Sequence, residues 1–313
     1  MLELVGFLKL NGKKTNRGAS PCKPAGHDAL LALGLALGLS LPVSCLHAQG
    51  APSATGRAIA TGKAAATSAT GVTAPPAMLH PWQAALPRLT PEAYFANLAN
   101  GEKIETPFLV KFGLSGGWGL APISKGIGGK SGHHHLLINR DLPLDFKQAL
   151  PFNEQYMHFG KGQMETVLNL PPGNYTLRLL LADDKHLPHF VYSKPLVVTV
   201  TKKNDTDPKS LVKKGISIQV TGDEVKPPFR VKLHASGLNV AHLAQQEKDT
   251  GHFRLAVVPK VGDKPAVIDL VNGQTEVWLA PPAGDYTLKL EFVDNVNPAN
   301  PLAAGVSKAV KVQ

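Results

Sequence analysis

Apolar and polar residues alternate in short segments through most of the chain, as in Tyr175-Thr176-Leu177-Arg178-Leu179-Leu180-Leu181 and Val197-Val198-Thr199-Val200. A period of two puts every second side chain on one face and predicts strands. Pro172-Gly173 and Ala283-Gly284 precede Tyr-Thr-Leu segments and supply turns. No amphipathic helix of useful length is predicted, so the expected fold is all-β.

One apolar run breaks the pattern. Ala29–Leu41 follows Lys9, Lys13, Lys14, Arg17 and Lys23, and Pro42 ends it. About a dozen apolar residues are too few to span a bilayer and suit the core of a secretory signal. Leu46-His47-Ala48 places a small residue at the cleavage point, so residues 1–48 are expected to be a signal peptide and the protein periplasmic or secreted. Cys45 lacks the leucine three residues earlier that lipid attachment needs, so lipoprotein anchoring is not expected. Residues 49–86 are mostly Ala, Thr, Ser, Gly and Pro, and are expected to form a flexible, disordered leader. No later segment is apolar for long enough to cross a membrane.

The remainder repeats itself. Thr106-Pro107-Phe108-Leu109-Val110-Lys111 returns as Pro227-Pro228-Phe229-Arg230-Val231-Lys232, and Gly162-Gln163-Met164-Glu165 as Gly273-Gln274-Thr275-Glu276. The second match continues without a gap from Pro171–Leu179 to Pro282–Leu290. Each copy has the length of one sandwich domain, about 100 residues. Two tandem immunoglobulin-like β-sandwiches are therefore expected, at 87–201 and 214–313, joined by a polar linker at 202–213.

Charge narrows the partners. The chain carries a formal +10, and removal of residues 1–48, with five Lys/Arg and two Asp/Glu, leaves +7. The charges are scattered rather than interleaved with aromatics, which argues against nucleic acid. Both cysteines, Cys22 and Cys45, lie in the signal, so the mature chain has no disulfide and no thiolate ligand.

Histidine carries the candidate chemistry. Six of the chain's twelve histidines, His133, His134, His135, His158, His186 and His189, fall in the first copy. Aligning Gly251-His252-Phe253-Arg254-Leu255 with Gly132-His133-His134-His135-Leu136 assigns His134 to the core face, as a hydrogen-bonded core histidine that orients a neighbour. His133 and His135 then project together from the opposite face. His158 has no counterpart, because the corresponding loop of the second copy is shorter. His186 aligns with Asn297 and His189 falls near Asn300. Imidazoles without sulfur suit zinc or copper. The candidate ligands are His133, His135, His158, His186 and His189, with Asp183 or Glu165 as the outer carboxylate that fixes a ring tautomer. Against this stands the plain reading, in which histidines near a sheet edge bond backbone carbonyls and bind nothing. The recurrence of Gln163 and Glu165 in both copies also favours a structural role for them. Gly116, Gly117 and Gly119 surround Trp118 in a loop that no helix follows, so it does not cradle phosphate. Trp118 could stack on a sugar or peptide, or be buried.

The strings Gly-His-His-His-Leu-Leu-Ile, His-Phe-Gly-Lys-Gly-Gln and Tyr-Thr-Leu-Arg-Leu-Leu-Leu-Ala-Asp, with His-Leu-Pro-His and the lead-in Phe108–Gly116, resemble the bacterial domain of unknown function 4399. The resemblance covers about residues 92–201, and 214–313 resembles a diverged copy. It implies a small β domain of exported proteins, often present once, with no established activity or ligand. The family's histidine motifs fall on the six histidines named above. The expected function is histidine-based binding of copper or zinc for delivery, storage or sensing. Its rivals are a metal-free module for a polysaccharide or periplasmic protein and a metal-dependent hydrolase. No catalytic residue is assigned.

Overall fold

The computed structural model describes residues 80–85, 90–122, 129–262 and 264–313. The expected signal peptide and most of the expected leader lie outside the described residues. The first copy contains β1 (Ala93–Phe95), β2 (Glu102–Thr106), β3 (Phe108–Leu114), β4 (Gly119–Leu120), β5 (Ser131–Ile138), β6 (Tyr156–His158), β7 (Glu165–Leu168), β8 (Gly173–Ala182), β9 (Pro188–Tyr192) and β10 (Leu196–Lys203). A four-residue helix, α1 (Pro208–Leu211), leads to the second copy. The second copy contains β11 (Gly215–Val220), β12 (Glu224–Val225), β13 (Phe229–Ser236), β14 (Asn239–Val240), β15 (Thr250–Pro259), β16 (Ala266–Asp269), β17 (Glu276–Leu279), β18 (Gly284–Asp294) and β19 (Val306–Val312).

Each copy is a sandwich of the same topology. The first pairs a β1-β3-β7 sheet with a β2-β10-β8-β5-β4 sheet, and the second repeats this as β11-β13-β17 and β12-β19-β18-β15-β14. In both, the two edge pairs of the larger sheet are parallel (β2 with β10 and β4 with β5; β12 with β19 and β14 with β15), while the central neighbours are antiparallel. This is an immunoglobulin-like arrangement, so the chain is all-β with two sandwiches in tandem. Each carries the tyrosine corner of such folds: Tyr175 Oη donates to the Pro171 carbonyl and Tyr286 Oη to the Pro282 carbonyl, both at 2.9 Å.

Alternation along the strands builds the cores. Val110, Phe112, Leu136, Ile138, Leu177, Leu179, Val198 and Val200 fill the first sandwich. Leu114, Leu120, Met164, Leu181 and Val191 of that copy join the core of the second, so the two sandwiches, parts of one compact unit, meet through apolar contact.

The polar contacts between them are paired about an approximate two-fold axis. Val240 N donates to the Gly162 carbonyl, and Leu120 N to the Gly273 carbonyl. Glu165 Oε1 accepts from Gly237 N, and Glu276 Oε1 from Gly116 N. A Cβ at Gly162 would overlap the Val240 carbonyl oxygen, and one at Gly273 the Leu120 carbonyl oxygen. Both glycines also have positive φ, 87° and 73°, so their recurrence reflects close backbone approach as well as turn geometry.

Residues 82–84, assigned by composition to the disordered leader, lie along β17. Ala84 N donates to the Trp278 carbonyl and Ala280 N to the Trp82 carbonyl. Trp82 packs edge-on to Tyr286 with ring centroids 5.6 Å apart. The indole contact and the two backbone hydrogen bonds together hold this segment.

Candidate metal centre

β5 runs through the middle of the larger sheet, between β8 and β6. Its register sets His133 opposite Ala182 and His135 opposite Leu180 on β8, and His135 opposite His158 on β6. Leu136 and Ile138 point into the sandwich core, and the alternate residue Leu137 packs outward against Leu150, Leu180 and Ala182. His133 and His135 share that outward face. They are nonetheless fully buried, because the segment between β5 and β6 folds back over the sheet.

The fourth imidazole comes from the β8–β9 turn. Asp183 Oδ1 accepts from Lys185 N at 2.9 Å and Leu187 N at 2.8 Å, while the His186 amide donates to the Asp183 carbonyl. This holds His186 at φ 62°, a left-handed conformation that a side chain with a Cβ adopts at some cost. Asp183 thus acts on the backbone of the turn that presents His186 and contacts no imidazole nitrogen.

Four rings converge as a result. His133 Nε2 and His135 Nε2 lie 3.0 Å apart, and His158 Nε2 and His186 Nε2 3.2 Å apart. One nitrogen from each of the four lies within 4.8 Å of the others. Two nitrogens bound to one ion at about 2.0–2.1 Å are about 2.9 Å apart at a right angle and about 3.3 Å apart at the tetrahedral angle. All separations are within 4.8 Å, and those within the two pairs fall between these values. They also suit N–H···N hydrogen bonds, which would join the rings in pairs in the metal-free protein. Packing fixes the ring planes: His133 meets His158 edge-on at 4.6 Å, and Phe152, 70 % exposed, lies 4.8 Å from His158. His133 Nδ1 and His135 Nδ1 have no hydrogen-bond partner among the described residues. Burial, aided by the neighbouring imidazoles, lowers the His133 pKa to about 2 and that of His135 to about 3. Both rings are therefore neutral at pH 7 and keep the lone pair that a cation needs.

The other candidates are placed elsewhere. His189 Nε2 is 3.1 Å from the Ser131 carbonyl oxygen and its ring packs on Trp118 at 4.7 Å, outside the four-ring group. Trp118 is half-buried against the shared core. Glu165 faces the second sandwich, bonded to His234 Nε2 at 3.0 Å and Ser236 Oγ at 2.6 Å, and so is no outer carboxylate of the histidine group. His134 occupies the core as its face requires, 5.5 Å from Phe112, but neither ring nitrogen has a partner among the described residues. A hydrogen-bonded ring was expected there.

The second copy does have a counterpart for His158. Leu270 N donates to the Phe253 carbonyl as Phe159 N does to that of His134, which places Asp269 at the His158 position. There Arg254 Nε donates to Asp269 Oδ1 at 2.6 Å. An ion pair thus replaces the His135–His158 contact, a substitution hidden by the different loop lengths.

These environments make two substitutions informative. His134→Phe, which copies Phe253, should stabilise the protein by about 1–2 kcal/mol, since it removes unpaired buried polar atoms. The His134 pKa is lowered by burial to about 3, so the unfolded chain binds the extra proton between there and about 6.5. The stability tied to a neutral His134 is present above that range and is lost as pH falls through it. Urea melts at pH 7 and pH 4.5 should show a smaller acid loss in the variant. His186→Asn, which copies Asn297, keeps a residue tolerant of positive φ. Its unfolding free energy should stay within about 0.5 kcal/mol of wild type, while metal affinity, read by competition with a chromophoric chelator, falls about a hundredfold if one of four ligands is lost.

Comparison with known proteins adds a family. No curated protein sequence matches the chain. Among solved structures, the chain is similar to the fibronectin(III)-like modules of Clostridium thermocellum CbhA at 11% identity, over 70% of this chain and 92% of that one, with a TM-score of 0.23. It is also similar to a two-domain fibronectin type-III segment of chicken tenascin at 14% identity, over 71% and 98%, with a TM-score of 0.21. At scores this low the fold assignment rests on the sheet topology alone. The Domain of unknown function (DUF4399) matches residues 110–201 and again 231–313, more than half of the sequence and both sandwiches. The chain belongs to the DUF4399 family and carries two copies of its domain.

Proposed function

We propose that the first sandwich binds one transition-metal ion, copper or zinc, through His133, His135, His158 and His186, and that the protein stores, delivers or senses that ion. The observation that carries this reading is the convergence of four imidazole nitrogens within 4.8 Å, two of them on fully buried rings. Four imidazole ligands would fill a tetrahedral site and leave no open position for water, which favours holding an ion over hydrolysis. Export to the periplasm or beyond is supported by the basic segment and the Ala29–Leu41 run. No helix among the described residues is long and apolar enough to cross a membrane.

A second reading is a metal-free module that holds a polysaccharide or a periplasmic protein. It draws on exposed aromatics near the same face: Phe190, 75 % exposed and stacked on Phe146 at 4.4 Å, and Phe152.

The deciding experiment is elemental mass spectrometry of the untagged mature chain before and after incubation with Cu(II) and Zn(II). About one ion per chain supports the metal reading. No ion under either condition overturns it and gives the lead to the binding module.

A further inference from the structure

A cavity of about 170 Å³ lies between the sandwiches, lined by Tyr94, Lys111, Ser217, Gln219, Lys232 and His234 among others. Lys111 and Lys232 occupy equivalent positions in the two copies, so the approximate two-fold axis brings two ammonium groups to one cleft. Neither forms an ion pair among the described residues: Glu165 is engaged by His234 and Glu276 by Arg230, while Glu92 acts on Lys232 without pairing with it. Lys232 Nζ instead lies 4.7 Å from the centroid of the Tyr94 ring, with the Arg230 guanidinium 5.1 Å from the same ring. Tyr94 can lie there because residue 113 is glycine, where a Cβ would overlap the phenol ring. Burial and the Arg230 charge lower the Lys232 pKa, against the opposing pull of Glu276 and Glu92.

The polar wall has a second character. His234 Nε2 donates to Glu165 at 3.0 Å, and its Nδ1 is buried without a partner among the described residues. An adjoining cavity of about 350 Å³ shares Lys111, Ser217 and His234 and adds Lys213.

We propose that this interdomain cleft binds a small multivalent oxyanion, such as a polycarboxylate or phosphate. The two ammoniums meet the anionic oxygens, and the Tyr94 and Ser217 hydroxyls and the Gln219 amide add neutral hydrogen bonds. The smaller cavity has the volume of about six waters at roughly 30 Å³ each, which suits such a ligand. Because the ligand touches both copies, its binding also clamps them together. The site is independent of the histidine group in the first sandwich.

Isothermal titration calorimetry of the metal-free mature chain with citrate, phosphate and succinate, at ionic strength held constant with sodium chloride, tests this. At least one of these anions should bind saturably at one site per chain. Lys111→Gln and Lys232→Gln should each weaken binding at least tenfold, whereas Lys248→Gln, on an exposed loop, should not. Thermal melts without ligand check that each variant is folded. Absence of saturable heat, or equal affinity in wild type and both cleft variants, overturns the proposal.

Discussion

The double replacement His133→Ala/His135→Ala is expected to lower metal affinity by about four orders of magnitude, so that no ion survives gel filtration. Complete nitrogen and sulfur sites hold zinc with about 10–16 kcal/mol, or about 3 kcal/mol per ligand, and two lost ligands correspond to roughly 6 kcal/mol. The fold itself should suffer little. Two small cavities open beside Leu137 and Leu180, but two unpaired buried Nδ1 atoms disappear with the rings, and the two effects offset each other to within about 2 kcal/mol. Thermal melts supply a second readout. Saturating metal should raise the wild-type midpoint, since only the folded chain brings the four rings together, and should leave that of the double variant in place. Metal retained at wild-type affinity would remove β5 from the ligand set.

Glu165→Ala is expected to destabilise the protein by about 3 kcal/mol and to leave metal affinity unchanged. Its carboxylate is buried and takes hydrogen bonds from His234, Ser236 and the Gly237 amide, so truncation strands all three donors inside the contact between the sandwiches. The pH dependence has a definite sign. Burial alone would raise the Glu165 pKa, but the hydrogen bonds from His234 and Ser236, the His234 charge and the Gly237 amide together lower it below 4.5. The stability it contributes is therefore present above the unfolded carboxylate pKa and is lost as pH falls through the lower, folded value. Urea melts from pH 7 to pH 3 should show wild type and Glu165→Ala converging at the acid end. A variant that melts like wild type but loses metal would return Glu165 to the histidine site.

The duplication gives these predictions an internal control. The second copy keeps the topology, the tyrosine corner and the glycine-mediated contact while holding Phe253 for His134, Arg254 for His135, Asp269 for His158 and Asn297 for His186. His252 persists, with its Nδ1 2.7 Å from Asn295 Oδ1. The sandwich therefore closes without the imidazole group, which separates what those residues do from what the fold needs.

Strand periodicity is local, and its consequences could be read along the chain. It gave the all-β class, the repeat, and the split of His133 and His135 from His134 across β5, because successive side chains of one strand face opposite ways. Contacts between distant segments depend on register and on packing partners that periodicity does not encode. Pairing of β6 with β5 brings His158 to His135, and the Asp183 turn lifts His186 to meet them, while the same turn leaves His189 against Trp118. Glu165 stood as a candidate outer carboxylate, although its recurrence favoured a structural role, and the approximate two-fold packing engages both it and Gly116 between the sandwiches. Trp82 shows the same limit, since its indole contact and two backbone hydrogen bonds dock a segment whose composition indicated no docking. The chemical types and faces of the histidines belong to the sequence. Which four share one point in space was decided by strand register, one constrained turn and the covering of the sheet.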